Sequence, residues 1–210
     1  LVNGIGVGVF RVHPLIMTLG TSLIGTGFLQ VYQRTVIASG AKIPDFLNWL
    51  GTGVSFGFPN ALLLFIPVAV FIVFTLNRTG FGRLLYAVGD NERATRLSGV
   101  RYWQVILALY ILSSLLAGIT GLLYIGLIKA PSLSLAEPLV LPSVAAAVIG
   151  GTSIFGGRGG YAGTIVGALI LTVLTTLLTI LQMPEGARRM LFGAIVLLVT
   201  AAYLRITEDR

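Results

Sequence analysis

The side chains best suited to chemistry in this sequence are charged and lie in one stretch around AVGDNERATRLSGVR, residues 87–101. The chain has 14 Lys and Arg and 7 Asp and Glu residues among 210. Seven of them fall within residues 78–101: Arg78, Arg83, Asp90, Glu92, Arg93, Arg96 and Arg101. Charged groups of both signs so close together can form ion pairs and charge-assisted hydrogen bonds with a protein partner. The alternative is a solvated loop whose arginines only set the membrane topology.

This stretch predicts a helix of about two turns. Either Asp90 or Asn91 can cap its start, because both side chains accept hydrogen bonds from the free N–H groups of a first turn. Glu92 and Arg96 are four residues apart and can pair on one face. Gly99 follows at the place where a left-handed residue ends a helix. A helix this short is not stable alone in water, so we expect it to pack against something.

A second stretch, VIGGTSIFGGRGGYAGTIVGALIL, is rich in glycine, and two phosphate-binding motifs have glycines at similar spacing. Seven of residues 143–164 are glycine: Gly150, Gly151, Gly156, Gly157, Gly159, Gly160 and Gly163. The stretch does not match a nucleoside-triphosphate loop, because Gly157 and Arg158 occupy the positions where that loop has Lys and Ser or Thr. The match to a dinucleotide fingerprint is weak, since no acidic residue lies about 20 positions further on. The pattern favours a turn between two helices that cross closely through small residues, with Gly150, Gly151, Gly156, Gly157 and Gly163 as packing or hinge positions.

The remaining polar residues indicate no catalytic or metal site and no cofactor. The sequence has no cysteine and one histidine, His13, for which no metal or catalytic partner is evident. The net charge is +7, but the basic residues form no continuous stripe, so nucleic acid is not an expected partner.

Composition shows which environment must position these stretches. The chain is 56% hydrophobic and 10% charged, with a mean hydropathy of +0.96. Soluble domains carry about 25% charged residues because their surface faces water. Most of this surface must therefore face lipid. We predict an all-α, polytopic membrane bundle that forms a single integral-membrane domain over residues 1–210.

Six segments are apolar enough to be spans of about 20 residues. They lie at 14–33, 58–77, 104–128, 139–155, 162–182 and 189–205, and residues 1–10 are read as the tail of another span. The first begins at Pro14, which suits a first helical turn. The segment 139–155 is short and rich in small residues, which favours a place inside the bundle.

Charge asymmetry predicts the orientation. If residues 78–101 are cytoplasmic and the spans alternate, nine basic residues lie inside and five outside, which follows the positive-inside bias. The carboxyl terminus is then cytoplasmic, and residues 34–57 form an external loop with Trp49 as an interface anchor. The opening LVNGIGVGVF lacks the features of a signal peptide, so we expect the sequence to be a fragment whose amino-terminal spans are missing.

Three stretches together resemble a known family. LVNGIGVGVFRVHPLIMTLGTS, GRLLYAVGDNERATRLSGV and AAAVIGGTSIFGGRGGYAGTIVGALIL are similar to the ribose-type permease subunits of bacterial ATP-binding-cassette importers for simple sugars. The resemblance runs from residue 1 to about residue 204 in the family's order. It implies a bacterial inner-membrane permease that moves a small sugar from periplasm to cytoplasm. It also implies partners: two ATPase subunits, a second permease copy or homologue forming a dimer, and a periplasmic sugar-binding protein.

By this resemblance residues 78–103 form a cytoplasmic coupling loop that contacts the ATPase. The residues expected to couple are Asp90, Asn91, Glu92, Arg93, Ala94, Arg96, Leu97 and Gly99. The chain itself would not be an enzyme, because a partner would hydrolyse ATP. The sequence does not identify the substrate-binding residues. Three alternatives stay open: a branched-chain amino-acid permease of the related family, an ion-coupled secondary transporter and a membrane-embedded enzyme. The second is disfavoured because the cores of the spans contain no charged residue; Arg189 and Arg205 lie only at the two ends of the last span.

Overall fold

The described residues fold mainly into α-helices. A computed structural model describes residues 1–38, 43–129, 136–153 and 156–208. Over these residues it contains the helices α1 (Val2–Gly8), α2 (Pro14–Ala38), α3 (Asp45–Thr52), α4 (Asn60–Arg78), α5 (Gly80–Asp90), α6 (Glu92–Leu97), α7 (Tyr102–Ile128), α8 (Glu137–Ile149), α9 (Tyr161–Ile180) and α10 (Glu185–Glu208). Two short strands, β1 (Val54–Ser55) and β2 (Phe58–Pro59), pair antiparallel between α3 and α4.

Four of these helices are long and apolar enough to cross a membrane: α2, α4, α7 and α9. The all-α membrane architecture fits the prediction, and α2 begins at Pro14 as expected. The count of six spans is not confirmed. The predicted span at 139–155 is α8, whose 13 residues extend only about 20 Å against a hydrocarbon core of about 30 Å. The predicted span at 189–205 lies within α10, a helix of 24 residues.

The chain divides into two compact units, the first made of residues 1–70 and 92–135 and the second of residues 71–91 and 136–210. In the first unit α1 packs closely on α7. A Cβ at Gly4 would lie 2.8 Å from Leu107, and one at Gly8 would lie 3.2 Å from the backbone of Trp103. Glycines four residues apart share a helix face, so the face of α1 with Gly4 and Gly8 has no side chains there and can approach α7 closely.

The segment 34–57, predicted as an external loop, contains regular structure in its described part after residue 42. It contains α3, whose Gly51 lies against Gly126 near the end of α7, so close that a Cβ on Gly51 would come within 2.5 Å of the α7 backbone. The hairpin β1–β2 turns through Phe56 and Gly57, with φ values of 55° and 81°. Both positive values fit the type I′ turn that matches the twist of paired strands.

A buried asparagine fixes this segment to the start of α4. Asn60 is 4% exposed, and its side-chain Nδ2 donates to the Trp49 carbonyl oxygen at 2.8 Å. Its backbone N–H donates to the Gly53 carbonyl oxygen at 2.9 Å. The carbonyl groups at the end of α3 are therefore satisfied by the residue that begins the next helix.

The core of the second unit lies between α8, α9 and α10. Ala145 and Ala146 of α8 are buried with Leu171 of α9 and Phe192 of α10. Gly150 and Gly163 bring α8 and α9 into backbone contact, since a Cβ on Gly163 would overlap the carbonyl oxygen of Gly150. The expectation that the segment at 139–155 packs through its small residues agrees with this arrangement.

Candidate functional site

The charged segment begins with a helix that was not predicted from the sequence. Residues 80–90 form α5, and the Thr79 hydroxyl accepts a hydrogen bond from the Gly82 backbone N–H at 3.3 Å. Val88 is buried on one side of α5, whereas Arg83 is exposed. The alternation of buried and charged positions is the available signal for this amphipathic helix, but its three glycines weaken the sequence pattern.

The predicted two-turn helix is α6, over Glu92–Leu97. Asn91, rather than Asp90, occupies the position before it, with extended backbone angles of φ −151° and ψ 97° as an N-cap residue requires. Asp90 is instead the last residue of α5. Gly99 follows α6 with φ 82°, which confirms the expected left-handed end.

One face of α6 is fixed to the start of α7 through Arg96. Its guanidinium Nη2 lies 2.5 Å from the Glu92 carboxylate, which confirms the predicted pair. The central carbon, Cζ, of this guanidinium lies 4.4 Å from the centre of the Tyr102 ring, which is a cation–π contact. Thr95 beside it is 7% exposed. These contacts give the short helix the support that it lacks by itself.

The neighbouring face of α6 is exposed. Leu97 is 83% exposed, and Arg93, four residues before it, is also exposed. Residues four apart lie side by side on a helix, so this face offers a leucine and a guanidinium together. Ala94 is exposed next to them. Arg96 is engaged with Glu92 and Tyr102, whereas Arg93 and Leu97 are exposed side by side on the surface of this helix.

The glycine-rich turn lies against α5 within the second unit. A Cβ on Gly89 would come within 2.6 Å of the Gly157 backbone nitrogen, and one on Gly157 within 2.9 Å of the Asp90 Cα. The Tyr86 hydroxyl donates to the Gly159 carbonyl oxygen at 2.9 Å. The end of α5 and the α8–α9 turn are thus in backbone contact. Sequence analysis missed this contact, because two stretches some 70 residues apart give no local signal of their meeting.

The glycines of the turn differ in what they do. Gly151, Gly156 and Gly157 have φ values of 84°, 91° and 72°, which residues with a side chain rarely adopt. A Cβ at Gly151 would meet nothing within 4 Å. The expectation of close backbone contact at Gly151 is therefore corrected: this position needs glycine for its backbone conformation and not for packing space.

Comparison with known proteins identifies the family. Residues 1–200 match the family described as branched-chain amino acid transport system, permease component. The chain belongs to this permease family. It is 33% identical over 200 residues to the ribose import permease protein RbsC of Escherichia coli (strain K12), covering 94% of this chain and 62% of that protein. It is 32% identical to the probable ABC transporter permease protein YphD of the same strain, covering 95% and 60%.

A third relative of the permease is the fructose import permease protein FrcC of Rhizobium meliloti, 32% identical over 95% of this chain and 57% of FrcC. The permease chain therefore spans about three fifths of the length of these relatives. No solved structure matches it. The family and the apolar helices agree in making this a multi-pass membrane protein of the inner membrane.

Within the described residues the permease holds no group of three or more His, Cys, Asp or Glu side chains that could bind a metal ion. The two regions differ in what they expose: α6 carries a charged and an apolar side chain on one exposed face, and the glycine turn contacts the backbone of α5.

Proposed function

We propose that this chain is the permease subunit of an ATP-driven importer that carries a simple sugar from the periplasm to the cytoplasm. The proposal is supported by the relatives named as import permeases for ribose and fructose, and by the ribose-type motifs in the sequence. In this proposal the chain pairs with a second permease copy or homologue and with a periplasmic sugar-binding protein. A separate ATPase hydrolyses ATP, and the carboxyl terminus is cytoplasmic.

The observation that carries the proposal is that one side of α6 is packed and another side is exposed. One side is held by Arg96 on Tyr102 and by the burial of Thr95, while the side with Arg93 and Leu97 is open. A guanidinium beside an exposed leucine is suited to an interface, because interfaces are built from apolar anchors and arginine contacts. We assign this face to the ATPase.

The way in which α6 is held suggests how a push from the ATPase reaches the membrane helices. Tyr102 is the first residue of α7, so a force on Arg96 acts directly at the end of a candidate span. On the other side of Asn91, α5 is in contact with the turn between α8 and α9. In this proposal, movement of α6 acts on α7 through Arg96 and Tyr102, and movement of α5 acts on the turn between α8 and α9.

The test replaces the exposed residues Arg93 and Leu97 of α6 and leaves the contact between Arg96 and Tyr102 unchanged. We expect Leu97→Asp combined with Arg93→Glu to leave membrane insertion intact, because both side chains are exposed. The ATPase should no longer co-purify, and sugar uptake should be lost. Truncating buried interface contacts costs about 2 kcal/mol or more each, which weakens assembly at least about 30-fold.

The matched control is Arg189→Gln, which removes an exposed arginine from α10. Arg189 pairs with Glu185 at 3.2 Å and has a side chain 61% exposed. This variant should retain its ATPase. If the double variant of α6 still brings down the ATPase at normal stoichiometry, α6 is not the docking helix. Purified chain without its partner should also hydrolyse no ATP above a buffer blank, and turnover in a single pure band would contradict the assignment of ATP hydrolysis to a partner.

A second candidate substrate class is favoured by the family's description, which names branched-chain amino acids. Uptake of labelled ribose, fructose, allose and leucine, measured in a deletion strain expressing the complete protein, separates the two. Leucine uptake without sugar uptake would replace the sugar by an amino acid and leave the ATPase assignment unchanged.

A further inference from the structure

A basic cavity lies in the first unit, where three helices end or begin. It has a volume of about 500 Å³ and is lined by Gly8, Val9, Arg11, Arg96, Tyr102 and Trp103. A second cavity of about 340 Å³ shares Arg11, Arg96 and Tyr102 with it, and adds Glu92, His13 and Pro14 among its lining residues. Both volumes fall in or near the range of about 300–1,000 Å³ that small-molecule sites occupy.

The position of this cavity marks it as a site at the membrane boundary. Pro14 and Tyr102 are the first residues of two candidate spans, α2 and α7. Trp103 is 43% exposed, and tryptophan and tyrosine are enriched at the level of the lipid headgroups. Apolar wall residues, Val7 and Val12, lie beside the polar ones. The cavity thus combines polar and apolar lining residues at the ends of two candidate spans.

The charge in the cavity comes from Arg11. Arg11 stands in the reversal between α1 and α2 with a left-handed backbone, φ 56°, which is uncommon for a residue with a side chain. Among the described residues, no carboxylate lies within ion-pair distance of it. Arg96 is balanced by Glu92, so Arg11 leaves the cavity with one net positive charge.

We propose that this cavity binds the phosphate group of an anionic phospholipid, with Arg11 as its main ligand. Guanidinium groups bind phosphate oxygens with paired, charge-assisted hydrogen bonds. Basic pockets between membrane helices at the headgroup level bind acidic lipids in this way. Trp103 and the valines provide the surface for the glycerol and the start of the acyl chains. Because Arg96 lines the same cavity, the lipid would contact the side chain that holds α6.

The test measures which lipids stay bound. The complete protein is reconstituted in nanodiscs of equal parts phosphatidylglycerol and phosphatidylcholine, extracted in mild detergent, and its retained lipids are counted by native mass spectrometry. Both lipids carry a phosphate, but only phosphatidylglycerol has a net charge. We expect the wild type to retain phosphatidylglycerol preferentially, and Arg11→Gln to lower that retention about tenfold, as loss of one charge-assisted contact predicts. Arg11→Lys should keep most of it.

The control is Arg34→Gln, which removes an exposed arginine near the other end of α2 and should not change retention. A third arm adds inorganic phosphate at millimolar concentration. Displacement of the lipid by phosphate would overturn the lipid assignment in favour of a soluble phosphate ligand. Equal retention of the two lipids by the wild type would overturn the proposal without any variant. Equal retention of phosphatidylglycerol by the wild type and Arg11→Gln would also overturn it.

Discussion

The helix α6, which we propose as the coupling helix, and the glycine-rich turn between α8 and α9 are held in place by different means. In α6 the contacts are between side chains: an ion pair, a guanidinium on an aromatic ring and a buried threonine. In the turn the contacts are between backbones, with Gly163 against Gly150 and Gly157 against Gly89. A side-chain contact can be weakened in steps, whereas a backbone contact leaves no room for even one methyl group.

The difference suggests a division of tasks. Contacts between flexible, partly exposed side chains adapt to a partner that binds, moves and releases. Contacts between backbones act as rigid pieces, because tightly packed elements transmit displacement instead of absorbing it. We therefore expect substitutions in the turn to harm folding or coupling sharply, and substitutions in the support of α6 to have graded effects.

The largest effect is expected from Gly163→Leu. A Cβ at this position already overlaps the carbonyl oxygen of Gly150, so the leucine must separate α8 from α9. Overpacking of a core costs up to about 3 kcal/mol, and a clash with backbone lies at or above that limit. The yield of monodisperse, detergent-purified protein should fall severely. Gly163→Ala should be milder but still harmful.

Gly25→Leu in α2 is the control for this substitution, because a Cβ there would meet nothing within 4 Å. If Gly163→Leu gives the same yield of folded protein as Gly25→Leu, α8 and α9 do not touch at these glycines.

The second largest effect is expected from Gly89→Ala. Alanine normally stabilises a helix interior by about 1 kcal/mol relative to glycine. Here its Cβ would lie 2.6 Å from the Gly157 backbone nitrogen, so α5 must move away from the turn. Sugar uptake should fall several-fold while the protein still inserts. Gly80→Ala in the same helix has open space and should keep normal uptake. Equal uptake by the two variants would show that the contact between α5 and the turn is not used.

A moderate effect is expected from Arg96→Gln, which removes both the ion pair with Glu92 and the contact with the Tyr102 ring. The Arg96 side chain is 29% exposed and that of Glu92 48% exposed, so solvent screens part of the pair. Together the two contacts are worth about 1–2 kcal/mol. ATPase activity stimulated by the sugar-binding protein should drop several-fold, with normal co-purification. Complete loss of co-purification would instead place Arg96 itself in the interface.

The smallest effect is expected from Tyr86→Phe, which removes one hydrogen bond to the Gly159 carbonyl oxygen. The loss of one such bond typically costs about 1 kcal/mol. The thermal midpoint should fall by a few degrees, and uptake should stay near normal as long as Gly89 is unchanged. A large loss of uptake in this variant would mean that the hydroxyl, and not the glycine backbone, carries the contact.

Sequence alone determined the all-α membrane character, though not the number of spans, because the density of charge and the length of apolar runs are local properties that do not depend on the fold. It also determined α6: the pair of Glu92 and Arg96 and the left-handed stop at Gly99 are separated by fewer than eight residues, so helical geometry brings them into place. The close crossing at Gly150 and Gly163 was expected for the same reason, since two helices joined by a short turn must meet near that turn.

Only the tertiary structure decided which of these residues have partners elsewhere in the chain. The ring of Tyr102 beneath Arg96 leaves Arg93 and Leu97 as the accessible face of α6. The turn against α5 and the contact of Gly51 with Gly126 join segments some 70 residues apart. In a chain with so few polar groups such contacts are made by glycine backbones. Because glycine has no side chain, its residue type does not indicate which segment it will contact, and only the folded structure shows that contact.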